Sequence, residues 1–437
     1  MKTYLLTSVL LLLISSCKED TPEDSLARLR MPPNQQISIV TEDQLTGETN
    51  KLTMKSTNGG ILVYGIEEDN SSEAIPNYTD LVSQLIGGKN KKKTDSKKQV
   101  VPLKLGDFII IKWPKAEDHQ SRLKYQWQNP KHPQLIKLIK DEQIENIIDN
   151  KDEVQKFLAL NNWTRAQWQP GSPKIYPPWN ANTILQMIRQ KRTGGFCGQY
   201  TQVLAQTLTA LGYNTRYLWL NAHFSMEVYS NTLNKWIIID PFYHCVLKKG
   251  DQYLNAYETY KLLEVDLDNK EIQIIDSSNQ NELIGEVRNN ILKAYENFVI
   301  DLKMNHLEEN KGGTSYVLNY WKHSAMLAEK KNLEFDFVSI PPLLTPWPQD
   351  LYAKQNQTAF KVLALNDKFI SFELNTNTPF HTKFEARVAD QQYRKISDNK
   401  LNIQINEGSH TISVRSINNC GIPGPSSEFT YEYKKRP

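Results

Sequence analysis

The spacing of hydrophobic residues changes along the chain and predicts three kinds of segment. From Leu135 to Leu158, apolar residues recur every three or four positions, which is typical of helices with one buried face. Between Tyr217 and Ile239 they form short, nearly continuous runs separated by polar turns, as buried strands do. From Ile370 to Tyr433 they alternate with polar residues, which predicts strands with one apolar face. The pattern indicates an α+β protein with an all-β C-terminal part.

The length of the chain supports more than one domain. A chain of 437 residues exceeds what one ordinary core accommodates, so two or three domains are expected. Short β-type runs between Ile37 and Trp113 predict a small β-rich N-terminal domain. We divide the chain into a signal peptide, a linker, this β-rich domain, a mixed helix-and-strand domain and a β-sandwich, with the boundaries 1–17, 18–35, 36–113, 114–335 and 336–437.

The first residues predict export and lipid anchoring. Lys2 precedes an apolar run from Leu5 to Ile14 that is too short to span a bilayer, so it is typical of a signal peptide. The run ends in Ile-Ser-Ser-Cys17, which resembles the lipobox of bacterial lipoproteins, where the cysteine is lipidated and carries a palmitate chain. No aspartate follows Cys17 directly, and an acidic pair does follow at Glu19 and Asp20. The resemblance implies an outer-membrane lipoprotein that faces the periplasm or the cell surface.

Charge excludes some partners. The 52 lysines and arginines nearly balance the 49 aspartates and glutamates, and a formal charge of +3 argues against a nucleic-acid partner. Six lysines cluster between Gly87 and Lys98, and we interpret this run as a solvated loop rather than a polyanion site. No phosphate-binding glycine loop occurs, so no nucleotide and no other cofactor is expected. The oligomeric state stays open.

The four cysteines do not form a disulfide framework. If Cys17 carries lipid, then Cys197, Cys245 and Cys420 remain, which is an odd number for an exported protein. A bridge between Cys245 and Cys420 stays open, although it would join two domains. A zinc site made by His223, His244 and Cys245 lacks the usual ligand spacing, so no metal is expected. One cysteine is therefore a candidate for chemistry.

Cys197 has the sequence surroundings of a nucleophile. It follows Gly194-Gly195-Phe196, which we expect to form a flexible entry loop, and apolar residues at helical spacing come after it until Gly212 provides a stop signal. Cys197 is therefore predicted in the first turn of a buried helix. The positive end of the helix favours a thiolate there, and its free N–H groups can bind an oxyanion. A second oxyanion donor is expected, with Trp168 and Gln190 as candidates.

A predicted hairpin would bring a histidine and an aspartate together. His223 begins one apolar run, a polar turn follows from Asn231 to Asn234, and the next run ends at Asp240. Two antiparallel strands in this arrangement place His223 beside Asp240. A thiol, an imidazole and a carboxylate brought together in this way form a nucleophile, a general base and a group that orients the base.

This constellation resembles the transglutaminase-like superfamily. The shared features are a cysteine at a helix start, Gly212-Tyr213-x-x-Arg216, a histidine followed by Glu-Val, and Trp-x-x-x-Asp-Pro ending at Pro241. The match is good from about Ile184 to Phe242 and weakens upstream to Leu135. The resemblance implies a papain/transglutaminase-like core with Cys197 as nucleophile, His223 as base and Asp240 as orienting group. It further implies cleavage or transfer of an amide acyl group through a thioester, with hydrolysis favoured over crosslinking.

Two positions depart from the family pattern. Gly198 follows the nucleophile where animal transglutaminases carry tryptophan, which counts against a crosslinking enzyme of the blood-clotting type. Ser225 replaces the aromatic residue usually found two positions after the histidine, which leaves the wall of the substrate groove uncertain. The expected partner is a peptide, protein or glycopeptide of the cell wall. The alternative is a catalytically silent surface lipoprotein that binds peptide or polysaccharide, with the aromatic loop from Trp168 to Trp179 stacking on the ligand.

The C-terminal strands carry a second resemblance. The segment Val414 to Ser426 contains an arginine in a strand and then an Asn-x-x-Gly-x-x-Gly-Pro-Ser turn. This order resembles the last hairpin of fibronectin type III modules, and such modules are usually spacers or binding platforms. The expected architecture is therefore a papain/transglutaminase-like core flanked by an N-terminal β-rich domain and a C-terminal β-sandwich.

Overall fold

The structure is a computed structural model that describes residues 99–103, 105–114, 125–296, 298–309, 351–396 and 398–436. It also gives the backbone pairing of five further strands, β1 Gln36–Glu42, β2 Thr49–Ser56, β3 Leu62–Glu67, β13 Ser324–Met326 and β14 Leu343–Leu344. The predicted signal peptide with Cys17, the linker and the lysine run 87–98 lie outside the described residues. Within the described residues, no helix is long and apolar enough to cross a membrane.

Eight helices occur in the described residues. Their bounds are α1 Pro133–Asp141, α2 Ile144–Ile148, α3 Glu153–Ala166, α4 Ala181–Arg189, α5 Cys197–Ala210, α6 Ala256–Val265, α7 Gly285–Ala294 and α8 His306–Glu309. The predicted helical region 135–158 thus falls into α1, α2 and the first part of α3. Helix α4 is capped by Asn180, whose side chain accepts from the Thr183 N–H at 3.2 Å.

The central sheet carries the candidate hairpin. Its strands run in the order β1-β2-β3-β14-β13-β12-β6-β7-β8, with β6 Thr215–Leu220, β7 His223–Ser230, β8 Lys235–Ile239 and β12 Phe298–Asp301. Strands β6, β7 and β8 are consecutive and antiparallel, and β12 pairs with the free side of β6. The hairpin predicted from the sequence is therefore confirmed. Beside this sheet lies a small one with the order β10-β9-β11, made by β9 Cys245–Lys249, β10 Gln252–Tyr253 and β11 Gln273–Asp276.

Both faces of β6–β8 are covered, which explains their continuous apolar runs. Along β8, Ile237 and Ile239 pack with the α5 residues Leu204 and Leu208, whereas Ile238 packs on the other face with residues of α6, α7 and β9. Alternate side chains of a strand point to opposite faces, so a strand between two helical layers has no polar face. Every residue of β7 is buried.

The C-terminal residues form two antiparallel sheets around a common core. One has the order β15-β16-β19 and the other β18-β17-β20-β21-β5-β4. Their bounds are β4 Gln99–Pro102, β5 Gly106–Lys112, β15 Thr358–Leu365, β16 Phe369–Thr376, β17 His381–Val388, β18 Arg394–Ile396, β19 Lys400–Gln404, β20 Gly408–Asn418 and β21 Ser427–Lys435. Phe372 of one sheet and Phe108 and Phe429 of the other belong to one buried cluster.

Strand β5 lies before the predicted boundary at residue 113 but pairs with the sheet of the C-terminal residues. The sequence places it in the N-terminal β-rich domain, but in the structure it pairs with β21 along six positions and Phe108 stacks on Tyr431. Strands β1 to β3 pair into the central sheet through β14 instead. The region 36–113 is thus divided between two sheets. The reason is that an edge strand pairs with the sheet that leaves hydrogen-bonding groups free, and sequence order does not reveal which sheet that is.

The end of α5 contacts the C-terminal turn. Gly212 adopts a left-handed φ of 94° one residue after the helix cap, and the Tyr213 N–H returns to the Leu208 carbonyl, so the predicted stop signal is confirmed. Asn418 donates to the Gly212 carbonyl at 2.7 Å, and a Cβ at Gly212 would lie 2.5 Å from that of Cys420. The turn that resembles a fibronectin type III hairpin therefore packs on the helix that carries Cys197.

Candidate active site

Cys197 is the first residue of α5, as the sequence predicts, and is half-buried. The side-chain oxygen of Gln199 accepts from the Phe196 N–H at 3.1 Å and fixes the entry into the helix. The backbone N–H groups of Cys197 and Gly198 have no acceptor in the part of the chain that the structure describes. Two N–H groups at the positive end of a long helix therefore remain beside the sulfur, as an oxyanion site requires.

The two glycines before Cys197 allow close packing of the entry segment. A Cβ at Gly194 would lie 2.7 Å from the Gly171 carbonyl oxygen, and a Cβ at Gly195 would lie 2.8 Å from Trp168 Nε1. The Gly195 carbonyl accepts from both the Gly171 N–H and Trp168 Nε1–H. Each glycine therefore leaves room for a neighbouring segment that contacts the entry into α5.

Trp168 and Gln190, the expected second oxyanion donors, do not occupy that role. The indole N–H of Trp168 is buried and already donates to Gly195 at 3.1 Å. Gln190 is an exposed residue at the C-terminal cap of α4. A donor is useful in catalysis only where it points at the position of the oxyanion. The described site therefore offers the two backbone N–H groups of α5 and not these side chains.

His223 and Asp240 meet at the end of the β7–β8 hairpin. His223 begins β7 and Asp240 directly follows β8, and the His223 Nε2 lies 2.7 Å from the Asp240 Oδ2. Because a carboxylate can only accept, Nε2 carries the proton of this bond. The Cys197 side chain is close enough to interact electrostatically with the same imidazole, whose Nδ1 is the nitrogen that Asp240 leaves available. The structure thus brings the three predicted residues together.

The electrostatics of the group favour an imidazolium. Burial alone would lower the pKa of His223, but the charge and hydrogen bond of Asp240, with a smaller effect of the Cys197 side chain, raise the pKa to about 10. Burial would likewise raise the pKa of Asp240, yet His223 and the Tyr243 N–H hold it below its usual value. At neutral pH the imidazole is therefore protonated and the carboxylate is charged. Such a histidine can deliver a proton to a departing amine.

Asp240 is held by four further groups. Its Oδ1 accepts from the backbone N–H groups of Phe242 and Tyr243 at 3.1 and 3.0 Å. Near its Oδ2 lies the hydroxyl of Tyr295 at 3.2 Å, and the nearby Ser225 side chain helps to lower the pKa of the carboxyl. These contacts fix the carboxylate in the orientation that aligns the imidazole.

Tyr295 is a site residue that the sequence does not reveal, and Ser225 lies beside it. The Tyr295 hydroxyl lies 3.1 Å from the Ser225 Oγ, and both side chains are fully buried. Ser225 was expected to affect the wall of the substrate groove; instead it lies behind Asp240. Tyr295 follows α7, and the Ala294 carbonyl accepts from the Asn221 N–H, which connects the end of α7 to the β6–β7 turn. No local motif marks such a residue, because only the fold brings it to Asp240.

The aromatic loop presents few rings to solvent. Trp168 stacks on Tyr200 at 4.1 Å, and Trp179 packs edge-on against Tyr217 at 5.0 Å, so both tryptophans are buried. Ligand stacking on these two tryptophans, which would suit the alternative function, is therefore blocked. Tyr176 is exposed instead, and its hydroxyl oxygen would lie 3.0 Å from a Cβ at Gly198. The small residue after Cys197 thus leaves room for a tyrosine from the loop.

The cysteines and histidines show no further site. Cys197, Cys245 and Cys420 are all free, so the bridge between Cys245 and Cys420 that the sequence left open does not form. Cys245 is fully buried in β9, and burial raises the pKa of its thiol well above the usual value. Among the residues that have described positions, no group of three or more histidine, cysteine, aspartate or glutamate side chains could hold a metal ion.

Comparisons with known proteins add little to this geometry. No family model matches the chain, and no curated protein matches it. Among solved structures, the chain is similar to the red sea bream transglutaminase, with 10% identity over 91% of this chain and 88% of that one and a TM-score of 0.22. A likeness this weak supports no step of the argument, which depends on the site itself.

Proposed function

We propose that the chain is an exported, lipid-anchored enzyme with a transglutaminase-like site, in which Cys197, His223 and Asp240 catalyse acyl transfer from an amide. The observation that carries the proposal is the convergence of a thiol, an imidazole and a carboxylate from three separate elements, with 2.7 Å between the His223 Nε2 and the Asp240 Oδ2. The substrate is a peptide, protein or glycopeptide of the cell wall.

The proposed reaction has two halves. The Cys197 sulfur attacks the carbonyl carbon of the amide, the C–N bond breaks, and the amine leaves with the proton of the His223 imidazolium. The acyl group stays on sulfur as a thioester. In the second half the neutral His223 takes a proton from water, the hydroxide attacks the thioester, and the C–S bond breaks. The products are a carboxylic acid and the Cys197 thiolate beside the His223 imidazolium, which is the starting state.

Hydrolysis is favoured over transfer to an amine. Outside the cell, water is far more abundant than any amine, and nothing in the described site selects an amine. The backbone N–H groups of Cys197 and Gly198 support the reaction because they are positioned for the oxyanion of the tetrahedral intermediate.

An electrophilic probe tests the site directly. A peptide that carries a thiol-reactive amide mimic should label the wild-type protein at Cys197, and mass spectrometry locates the adduct. The Cys197→Ala variant should not be labelled, while Cys420→Ala, which removes another half-buried free thiol, should react as the wild type does. Equal labelling of the wild type and the Cys197 variant would sink the proposal.

Anchoring is a separate part of the proposal. Its support is the sequence before and around Cys17, and it places the enzyme on the outer membrane, facing the periplasm or the cell surface. Radioactive palmitate should enter the wild-type protein and not the Cys17→Ser variant. Equal incorporation would remove the anchor and leave the chemistry of Cys197 untouched.

A further inference from the structure

The segment around the nucleophile contains basic residues but no acidic ones. From Val154 to Met226 the sequence contains no aspartate or glutamate. The same stretch contains seven basic residues: Lys156, Arg165, Lys174, Arg189, Lys191, Arg192 and Arg216. The whole chain is nearly balanced in charge, so this local excess is a feature of the part that surrounds Cys197.

Two of the seven cations are neutralised by carboxylates from outside the stretch. Arg216 pairs with Glu227 at 2.6 Å, and both side chains are fully buried. Arg189 pairs with Glu142 at 2.7 Å. A cation of this kind serves the fold and offers nothing to a ligand.

Three others are exposed and unpaired. Lys174, Lys191 and Arg192 are solvent-exposed, and none has an ion pair among the described residues. They lie together because the loop before α4 runs along the segment that enters α5. Ile175 and Thr193 are joined there by the Thr193 hydroxyl, which donates to the Ile175 carbonyl at 2.7 Å. Lys174 directly precedes Ile175 and Arg192 directly precedes Thr193, so the two cations flank one contact.

The same loop leads to the nucleophile. Tyr176 follows Ile175, and its hydroxyl lies over Gly198, the residue after Cys197. The positive end of α5 adds charge of the same sign at this point. A ligand that approaches Cys197 along the loop therefore meets positive charge.

We propose that the acyl donor is an acidic peptide, with carboxylate groups close to the scissile amide that Lys174, Lys191 and Arg192 recognise. This inference rests on the proposed function, because it places the acidic groups next to the amide that Cys197 attacks. Exposed cations act mainly by attracting the ligand, and their effect is screened by salt within about 8 Å at physiological ionic strength. Three such charges are expected to change binding by about tenfold to a hundredfold at low salt, since each exposed ion pair contributes only modestly.

Binding of charged peptide mixtures tests the inference. Three fluorescent mixtures share a degenerate sequence around a central glutamine and differ only in whether the two residues on each side are Glu, Gln or Lys. Fluorescence anisotropy with the Cys197→Ala protein measures binding without turnover. The Glu mixture should bind at least about tenfold more tightly than the Lys mixture at low salt, and the preference should shrink at high salt.

Matched charge variants locate the effect. The triple variant Lys174→Gln, Lys191→Gln, Arg192→Gln should lose the preference for Glu. The control triple variant Lys368→Gln, Lys400→Gln, Lys435→Gln removes the same amount of charge from exposed residues of the C-terminal part. This control should retain the preference for the Glu mixture. No preference, no binding of any mixture, or a preference that survives the first triple variant would overturn the inference.

Labelling separates this inference from the proposed function. A small neutral electrophile should label Cys197 equally in the wild type and in both triple variants, because it needs no charge recognition. If labelling succeeds and the peptides show no charge preference, the acidic substrate is wrong and the enzyme remains. If charge preference is present and Cys197 is unreactive, the site recognises acidic peptides and the proposed chemistry fails.

Discussion

Two buried pairs of opposite charge lie on the same strands and have different surroundings. Arg216 on β6 pairs with Glu227 on β7, and His223, four residues before Glu227, pairs with Asp240 after β8. The side-chain exposure is 0% for both members of the first pair and 4% and 0% for those of the second. Burial and charge therefore do not distinguish the two pairs. Their remaining hydrogen-bond partners do.

The Arg216–Glu227 pair is surrounded by structural groups. Besides Arg216, Glu227 accepts from the Ala256 N–H at 2.7 Å and the Tyr352 hydroxyl at 3.1 Å. Arg216 donates to the Tyr125 hydroxyl and the Leu351 carbonyl and stacks on Trp236 at 4.0 Å. Every partner is a structural group that cannot react. The pair therefore joins the central sheet to α6 and to the chain that leads to the C-terminal sheets.

In the His223–Asp240 pair, only Asp240 is surrounded by structural groups. Asp240 is satisfied by backbone N–H groups and by Ser225 and Tyr295, as Glu227 is by its own partners. The imidazole, however, keeps a second nitrogen, and that nitrogen faces a half-buried thiol at a helix start. The comparison shows that an imidazole nitrogen available to a nucleophile, and not burial of charge, separates a candidate catalytic pair from a structural one.

Asp240→Asn should break the His223–Asp240 pair and give the largest loss of activity. We expect amide turnover to fall by a factor on the order of 10⁴, as when a triad carboxylate is replaced in other enzymes, because the amide no longer stabilises an imidazolium. The pKa of His223 should fall from about 10 to below 6.5, since burial remains and the carboxylate is gone. Kinetics and a ¹H–¹⁵N NMR titration of the ring measure both effects.

The same variant has a pH signature in stability. In the wild type the folded-state pKa of His223 exceeds its unfolded value, so the stability it contributes is complete below about pH 6.5 and is lost as the pH rises toward 10. Asp240, whose pKa is lowered, contributes above its unfolded value near about 3.9 and loses that contribution as the pH falls. Asp240→Asn should reduce both pH dependences of the free energy of unfolding, the loss toward high pH and the loss toward low pH. Unchanged pH dependences would show that the two groups are not coupled.

Glu227→Gln should break the Arg216–Glu227 pair and lower stability rather than activity. It leaves Arg216 buried without a counter-charge, so the free energy of unfolding should fall by about 3–5 kcal/mol. Labelling of Cys197 below the melting temperature should stay within about twofold of the wild type. Urea unfolding and labelling kinetics measure the two quantities. The double variant Arg216→Met, Glu227→Leu should recover much of the loss, because paired apolar residues leave no buried charge. A large loss of labelling in folded Glu227→Gln would mean that the two pairs are coupled.

Much of the site could be predicted from the sequence because it depends on local signals. A cysteine before a helical apolar pattern and two apolar runs joined by a polar turn define α5 and the β7–β8 hairpin, and these two elements place Cys197, His223 and Asp240. Arg216 also stands in a recognisable motif, and its pairing with Glu227 gives that motif a structural reason.

The remaining features depend on contacts distant in sequence. Tyr295 reaches Asp240 only because α7 ends beside the β6–β7 turn. The crowding at Gly194 and Gly195 comes from the segment around Trp168. Strand β5 joins the C-terminal sheet across most of the chain. Each of these depends on which free edge or surface meets which, and a linear pattern does not contain that information.

Removing one tyrosine hydroxyl from each pair should give the smallest changes in stability and turnover, and these changes should still distinguish the two pairs. Tyr295→Phe removes a hydroxyl 3.2 Å from Asp240, and Tyr352→Phe removes one 3.1 Å from Glu227. Each should lower the free energy of unfolding by about 1–3 kcal/mol, because a hydrogen bond to a buried carboxylate is lost. Only Tyr295→Phe should also change chemistry: turnover should fall about threefold to tenfold. One donor fewer raises the pKa of Asp240 and weakens its hold on the imidazolium, so the pKa of His223 should fall. Equal pH–rate profiles for the two variants would mean that Tyr295 supports the fold and not the imidazole.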